Sequence, residues 1–326
     1  MNRGVLAVYA DSIDPEDPLA GLVVGERPEP ESPAGWVSVE VRAAALNHHD
    51  VWSLRGVGLP PDRLPMTLGC DCAGVDPEGN AVVVHAVIAS EGWSGDETLD
   101  PRRTLLSELH QGTLAERVTV PRANLVPKPP ELSFEQAACL PTAWLTAYRM
   151  LFVRGGVTRG QTILVQGSSG GVATALIRLA ASAGVRVWAT GRTEEKRALA
   201  RSLGAEAVFE PGARLPERVD AVMETTGAAT WAHSLKALKP GGTLVISGAT
   251  SGAGPAAELN RIFFLQLSVI GSTMGTREEL ARLMRVLVQR GIEPEIGQIL
   301  PLREARAGFE AMLAGHTAGK IVFTVG

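Results

Sequence analysis

Apolar and polar positions alternate along the first part of the chain with the period of a β-strand. Residues 35–41, GWVSVEV, alternate as a half-buried strand does. Apolar runs bounded by Pro, Gly and Asp turns predict strands at 5–9, 21–24, 36–43 and 81–87. Residues 45–56 break this period and predict a loop entering a short helix, with Asn47 as a plausible cap. The pattern predicts a β domain with few helices over residues 1–125.

A different pattern begins at residue 161. Residues 162–166 form a short apolar run typical of a buried strand, and 167–171 (GSSGG) are small enough only for a tight turn. Apolar positions then recur at helical spacing until Gly184. A strand, a glycine turn and a helix in this order commonly bind phosphate at the helix N-terminus. The alternative is that these residues form an ordinary turn of an α/β protein without a ligand. The predicted cofactor-binding residues of this turn are Gly167, Ser168, Ser169, Gly170, Gly171 and Val172.

Short apolar strands continue beyond the glycine turn at 186–190, 207–209, 221–224 and 242–247. Helix-forming segments, such as 193–203, separate most of them. This rhythm predicts a doubly wound parallel sheet of the α/β class.

The end of the second of these strands indicates the coenzyme. An NAD site places a carboxylate there, about 20 residues after the glycine turn. The chain instead has Thr190, Gly191 and Arg192, and its first carboxylate is Glu194. Arg192 and Lys196 could neutralise a 2′-phosphate while Thr190 and Thr193 donate hydrogen bonds, or they are solvated charges at a helix start. We therefore predict NADP(H).

Length and composition narrow the classes of protein. A chain of 326 residues with 45% apolar residues predicts two domains, each with its own core. A formal charge of −4 gives no reason to expect nucleic acid or an anionic membrane as partner. The sequence contains no run of 18 apolar residues, so no transmembrane span is predicted. Three cysteines make no disulfide framework and suit a reducing cytoplasm.

Several motifs together resemble one family. They are NHHDVWSLRG at 47–56, LPMTLGCDCAGV at 64–75, LPTAWLTAYRMLFVRGGVTRGQTILVQGSSGGVA at 140–173 and GKIVFTV at 319–325. Their joint order is similar to the medium-chain dehydrogenase/reductase superfamily, nearest its quinone oxidoreductase-like branch, and covers nearly the whole chain. The resemblance implies a GroES-like β domain over 1–125 and 266–326, a Rossmann domain over 126–265, and an active site in the crevice between them. It also implies a homodimer formed through the sheet edge at 267–270.

The resemblance also bears on metal. In the zinc-dependent members, the ligand positions would correspond to Asn47, Cys70 and Thr142, and neither an Asn amide nor a Thr hydroxyl is a good zinc ligand. Four closely spaced cysteines of a structural zinc lobe would fall between about 86 and 111, where the chain has none. A different site could in principle form from His48, His49, Cys70, Asp71 and Cys72, but two adjacent histidines in a short helix point in different directions. We therefore predict no metal.

The candidate catalytic residues lie in the first motif. Asn47 could donate a hydrogen bond to a substrate carbonyl or simply cap the helix, and His48 or His49 could supply a proton. Asp50 is expected to orient loop backbone or Arg55. For each histidine a structural role is the alternative, and solvent is another proton source. Trp52, Trp93 and Trp144 are candidates for the walls of a pocket that stacks a flat acceptor, and ordinary core or surface packing is their alternative.

The remaining predicted cofactor contacts follow strands of the parallel sheet, at the edge where ligands bind. They are Thr225, Thr226 and Gly227 after the fourth strand, Ser247, Gly248, Ala249 and Thr250 after the fifth, and Ser272, Thr273 and Met274 after the sixth. By resemblance, Thr146 contacts the nicotinamide end.

These observations predict a cytoplasmic, zinc-free, NADPH-dependent reductase of a small electrophilic acceptor, a quinone or an α,β-unsaturated carbonyl. The alternatives are a zinc-dependent alcohol dehydrogenase, a redox-sensing nucleotide-binding protein without turnover, and a reductase of carrier-bound intermediates. The resemblance puts thioester reduction in doubt, because Trp52 stands where some relatives carry a tyrosine acid.

Overall fold

The computed structural model describes residues 4–315 and 317–326. The chain divides into two compact units, one formed by Met1–Ala143 with Met274–Gly326 and the other by Trp144–Thr273. The first unit is therefore built from both ends of the chain. In the described ranges, no helix is long and apolar enough to cross a membrane.

The strands are β1 Gly4–Ala10, β2 Leu22–Pro28, β3 Trp36–Ala45, β4 Met66–Thr67, β5 Asp71–Val75, β6 Ala81–Val84, β7 Val87–Ile88, β8 Thr104–Leu105, β9 Arg117–Pro121, β10 Leu125–Pro127, β11 Thr162–Val165, β12 Arg186–Thr190, β13 Ala207–Phe209, β14 Val219–Glu224, β15 Leu238–Ile246, β16 Ser268–Gly271, β17 Ile296–Pro301 and β18 Lys320–Thr324. The α-helices are α1 His48–Leu54, α2 Phe134–Ala138, α3 Leu145–Tyr148, α4 Gly171–Ser182, α5 Glu194–Ser202, α6 Trp231–Ala237, α7 Leu259–Phe264, α8 Arg277–Arg290 and α9 Ala305–Ala314. Wider helical turns at Leu140–Trp144 and Arg149–Arg154 flank α3, and short 3-10 turns span Pro61–Arg63, Glu97–Leu99, Arg122–Asn124 and Leu302–Glu304.

The largest sheet of the first unit is organised around β3. Its strands run in the order β10-β6-β5-β3-β18-β17, and β9 also pairs with β3. Val37, Val39 and Val41 of β3 are buried while the residues between them are half-buried, which confirms the predicted alternation. Ala43–Ala45 pair with residues 322–324 of β18, so the last strand of the chain lies beside the start of α1. This pairing brings Lys320 to the loop that carries Asn47.

The second unit is a parallel sheet with helices. Residues 144–273 are all described, and their six strands have the order β13-β12-β11-β14-β15-β16 with parallel pairing throughout. The chain order of these strands across the sheet is 3-2-1-4-5-6, which is that of a doubly wound nucleotide-binding sheet. The order reverses between β11 and β14, so a ligand is expected outside the carboxyl ends of these strands.

The division between the units lies later in the chain than the positions near 126 and 265 expected from the sequence. Residues 125–127 pair with β6, and α2 contacts β3 and β5, so the segment up to Ala143 belongs with the first unit. At the other end, β16 pairs with β15 and belongs to the parallel sheet. The packing of α2 and the pairing of β16, which the local sequence does not encode, set these boundaries.

Candidate functional site

The glycine turn between β11 and α4 leaves open space beside its backbone. Gly167 has φ +92°, a left-handed conformation that favours glycine, and Gly170 caps α4. A Cβ added at either glycine would meet no atom within 4 Å. The first turn of α4 also has backbone N–H groups without intrahelical partners. The turn can therefore accept a phosphate at close range, as the sequence predicts.

Ser168 in this turn carries a buried hydroxyl that needs a partner. The residue is 3% exposed, and its Oγ has no hydrogen-bond partner among the described residues. The hydroxyl faces Gly191 at the end of β12, where an added Cβ would lie 2.7 Å from Ser168 Oγ. A buried polar group without a partner indicates a missing ligand or water. The Oγ atom is enclosed by protein, so a bound water is its expected partner, and the open side of the turn is formed by its backbone.

Thr190 was expected to donate a hydrogen bond to a 2′-phosphate, and the structure gives its hydroxyl other partners. Its Oγ1 accepts a hydrogen bond from the Gly167 N–H at 3.0 Å and donates to Gln166 Oε1 at 2.9 Å. A hydroxyl has a single hydrogen, so Thr190 has none left to donate to a 2′-phosphate. The side chain holds the glycine turn instead.

The charges after β12 favour a phosphate over a ribose hydroxyl. Arg192 is exposed and forms no ion pair in the described part of the chain, whereas Glu194 is paired with Arg201 at 2.7 Å and Arg197 at 3.1 Å. These two arginines hold the pKa of Glu194 below its usual value. Thr193 caps α5 by accepting the Lys196 N–H, and Lys196 is half-buried in the first turn. The first carboxylate after the strand is therefore already engaged.

Arg197 was not singled out by the sequence. Its Nη1 donates to the Gly191 carbonyl at 2.7 Å and so fixes the backbone at the end of β12. The only feature of the sequence that could have indicated this role is its position in the first turns of α5, and a solvated charge is equally common there.

The loops after β14 and β15 are bonded to each other. Ser251 N–H donates to the Thr226 carbonyl at 2.7 Å, and the Thr250 N–H to the Thr225 carbonyl at 3.4 Å. The predicted contacts Thr225 to Gly227 and Ser247 to Thr250 thus lie at the same sheet edge as the glycine turn.

The four remaining predicted cofactor contacts have different surroundings. Ser272 and Thr273 follow β16, at the carboxyl edge of the same parallel sheet, while Met274 begins the second segment of the first unit and packs against its core. Thr146 is buried in α3.

In the first unit, Asp50 joins two loops at the start of α1. Its Oδ2 accepts the Asn47 backbone N–H at 2.8 Å and its Oδ1 accepts the Gly69 N–H at 2.9 Å. The carboxyl is fully buried, and burial raises its pKa. Asp50 therefore orients backbone.

Asn47 has both amide hydrogens engaged, which corrects its assignment as a donor to substrate. Its Nδ2 donates to Asp71 Oδ2 at 2.9 Å and to the Ala45 carbonyl at 3.3 Å. Its Oδ1 accepts from Lys320 Nζ at 2.6 Å. No amide hydrogen remains for a carbonyl group, because the amide carries only two.

Lys320 contacts Asn47, the first of the three expected zinc-ligand positions. The ammonium is buried and donates to Asn47 Oδ1, to the Leu46 carbonyl at 2.8 Å and to Asp71 Oδ2 at 3.1 Å. A resident cation therefore already uses these oxygens, and an amide oxygen suits zinc poorly. In residues 4–315 and 317–326, no group of His, Cys, Asp and Glu has the geometry of a metal site. The residues present do not fit a zinc ion.

His49 is the centre of a cluster that the sequence only partly predicted. Its Nε2 lies 2.9 Å from Glu108 Oε1, and its Nδ1 lies 3.4 Å from both Cys70 Sγ and Ser107 Oγ. Burial opposes the charged imidazolium, but Cys70, Glu108 and Asp50 outweigh it and raise the pKa of His49 well above its usual value. Glu108 and Ser107 were missed because they are distant in sequence. His48, by contrast, is exposed.

The three candidate tryptophans have different surroundings. Trp144 is fully buried, so it does not present a ring face to a ligand, which corrects its assignment to a pocket wall. Trp93 is exposed, with its Nε1 donating to the Asp96 carbonyl at 3.1 Å. Trp52 is half-buried beneath the guanidinium of Arg55, which lies 5.4 Å from the ring centre.

Comparison with known proteins agrees with this architecture. Residues 33–130 match the family model described as the alcohol dehydrogenase GroES-like domain, and residues 171–289 match that of zinc-binding dehydrogenase. An acryloyl-coenzyme A reductase of Metallosphaera sedula is 28% identical over 323 residues, covering 93% of this chain and 96% of that protein.

Solved structures give the same result at full length. A crystal structure of an NAD-dependent alcohol dehydrogenase is 35% identical, with a TM-score of 0.90, covering 98% of this chain and 100% of that one. The 2-octenoyl-CoA carboxylase reductase CinF, in complex with NADP and 2-octenoyl-CoA, is 25% identical, with a TM-score of 0.89 and coverage of 98% and 87%. With its GroES-like and Rossmann domains, the chain belongs to the medium-chain dehydrogenase/reductase superfamily.

Proposed function

We propose that the protein is a metal-independent, NADPH-dependent reductase of α,β-unsaturated carbonyls or quinones, of the quinone oxidoreductase-like branch. The observation that carries this proposal is the Lys320 ammonium on the oxygens of Asn47 and Asp71. Without a metal ion, an alcohol lacks the Lewis acid that most strongly lowers its pKa, so alcohol oxidation is disfavoured. Reduction of an electron-poor carbon needs no such ion.

The coenzyme assignment rests on the carboxyl edge of the parallel sheet. The open glycine turn suits a dinucleotide. Exposed Arg192 and the engaged carboxylate of Glu194 favour a 2′-phosphate. The NADP complex of CinF, a relative at 25% identity, supports the same coenzyme.

Bound NADPH supplies the hydride, and the protein must orient the acceptor and provide a proton. His49 is our candidate for the proton source, because its ring lies between Cys70 and Glu108, which raise its pKa, and its side chain is partly exposed. His48 is exposed and solvent can serve as well. Asn47 and Asp50 hold the loop in which both histidines lie.

Two relatives direct the choice of acceptor. An acryloyl-CoA reductase and a 2-octenoyl-CoA carboxylase reductase are named for conjugated thioesters, so an enoyl thioester belongs among the candidate acceptors despite Trp52. The second candidate function, NAD-dependent alcohol oxidation, is favoured by the alcohol dehydrogenase at 35% identity.

The first experiment measures NADPH oxidation by chelator-treated protein with a simple quinone, a simple enone and crotonyl-CoA, with NADH in parallel. We expect turnover with NADPH preferred, and a lower kcat for His49→Gln. Activity only on an alcohol with NAD after zinc is restored would contradict the proposal. NADPH binding without turnover on any acceptor would favour a redox-sensing protein.

We also propose a homodimer that forms along β16. This strand is at the end of its sheet, and Val269 on it is exposed, as are Phe263 and Phe264 of α7. An uncovered apolar edge strand tends to pair with another chain. Light scattering should give twice the chain mass of 34.3 kDa, and Val269→Lys should raise the dimer dissociation constant. A monomer mass for the unsubstituted protein would exclude this dimer.

A cytoplasmic location remains our proposal. Cys70, Cys72 and Cys139 are free thiols, which fits a reducing compartment.

A further inference from the structure

A chain of hydrogen bonds lies beneath the carboxyl edge of the parallel sheet. The Gly167 N–H donates to Thr190 Oγ1 at 3.0 Å, and the Thr190 hydroxyl donates to Gln166 Oε1 at 2.9 Å. Gln166 Nε2 donates to Ser234 Oγ at 2.9 Å, and the Ser234 hydroxyl donates to Glu224 Oε2 at 2.6 Å. Each of the four side chains is at most 1% exposed. These hydrogen bonds connect the glycine turn to the end of β14 through side chains of β12 and α6.

The direction of these bonds is fixed by chemistry. A carboxylate only accepts, so the Ser234 hydroxyl must donate to Glu224 and accept from Gln166. The amide nitrogen of Gln166 therefore faces Ser234, and its oxygen faces Thr190. His233 agrees with this orientation, because its Nε2 donates to the Ala213 carbonyl at 2.9 Å and leaves Nδ1 to accept from Gln166 Nε2 at 3.0 Å. Removal of one link leaves its neighbours with unmatched groups.

Glu224 extends the chain into the second loop of the site. Its Oε1 accepts the backbone N–H groups of Thr226 at 2.8 Å and Gly227 at 3.1 Å. Its two oxygens also accept from the Thr230 hydroxyl at 2.9 and 2.8 Å. One buried network thus holds the backbone of both loops that flank the point where the strand order reverses. Ser168, beside the network, keeps its hydroxyl unpartnered within the described residues.

We propose that Gln166, Thr190, Ser234 and Glu224 are positioning residues for the dinucleotide. They fix the glycine turn and the 225–227 loop in the arrangement that binds the coenzyme. This inference rests on the proposed coenzyme and not on the identity of the acceptor. Ser234 acts only through Gln166 and Glu224, because it lies in α6 and is fully buried.

The test is a fluorescence titration with NADPH on variants of matched shape. Thr190→Val removes the acceptor for the Gly167 N–H and should raise the NADPH dissociation constant about tenfold, because a buried donor loses its partner. Thr190→Ser keeps the hydroxyl and should stay within about twofold of the unsubstituted protein. Thr162→Val, at the amino end of β11, is the control for loss of a buried threonine in the same sheet. The KM for NADPH should follow the dissociation constant while kcat is unchanged.

Ser234→Ala separates positioning from direct contact. It should weaken NADPH binding although the side chain is buried and three hydrogen bonds along the network separate it from the Gly167 N–H. Thermal midpoints identify any variant that fails to fold. If folded Thr190→Val and Ser234→Ala bind NADPH like the Thr162→Val control, this inference is wrong and the coenzyme assignment stands. If the unsubstituted protein binds neither NADPH nor NADH, both are overturned.

Discussion

Lys320→Met is expected to lower the free energy of unfolding by about 3–5 kcal/mol, because it leaves a buried carboxylate without its counter-charge. Asp71 is fully buried, and its Oδ1 has no partner in the described part of the chain. Only the Asn47 amide would then donate to its Oδ2. Methionine fills a similar volume, so the loss reports charge and hydrogen bonding more than packing.

A matched control is the more exposed ion pair of Lys239 and Asp220. Their Nζ and Oδ1 atoms lie 2.9 Å apart with side chains 44% and 24% exposed. Lys239→Met should cost less than about 1 kcal/mol. Asp71→Asn added to Lys320→Met should recover part of the loss, since it removes the unpaired charge. Urea denaturation followed by circular dichroism measures all of these variants. Equal losses for Lys320→Met and Lys239→Met would mean that the buried pair contributes no more than an exposed one.

Arg192→Ala is expected to raise the KM for NADPH by about 10- to 100-fold, because it removes one or two charge-assisted hydrogen bonds to a phosphate. The KM for NADH should change by less than about threefold, because NADH lacks the 2′-phosphate that the guanidinium would bind. Steady-state kinetics with each coenzyme at a saturating concentration of the acceptor gives the comparison.

Arg186→Ala is the control for this prediction. It removes the same charge from the amino end of β12, where Arg186 pairs with Glu206 and Glu217 at 3.1 Å, at the sheet edge opposite the predicted coenzyme site. Both KM values should therefore stay close to those of the unsubstituted enzyme. Equal increases for NADPH and NADH with Arg192→Ala would show that this residue does not recognise the 2′-phosphate.

Lys320 and Glu108 illustrate what residue-by-residue inspection misses. Both are charged residues in segments without a catalytic motif, and a solvated surface position is the ordinary expectation for them. The pairing of β18 with β3 brings Lys320 to Asn47, and the turn after β8 brings Glu108 to His49. Such contacts join residues up to 273 positions apart, so no local pattern contains them.

Thr190 shows the same limit within a correctly predicted element. Its position at the end of a strand indicates a ligand contact, and the strand bounds 186–190 agree with the prediction. Whether its hydroxyl faces a ligand or the protein depends on Gln166 and Gly167, which come from the neighbouring strand. Asn47 is a similar case, because its amide is used by Asp71 and Lys320.

The sequence by itself determined the elements whose signal is periodic or local. The alternation in β3, the strand, turn and helix at 162–182 and the parallel-sheet rhythm follow from which positions must be buried, and from where only glycine fits. The tertiary structure alone decided the partners of the polar side chains and the boundaries of the two units. A side chain's chemistry is fixed by its type, but its role depends on which distant groups take its few hydrogen bonds. Those partners are assigned by strand pairing across the whole chain.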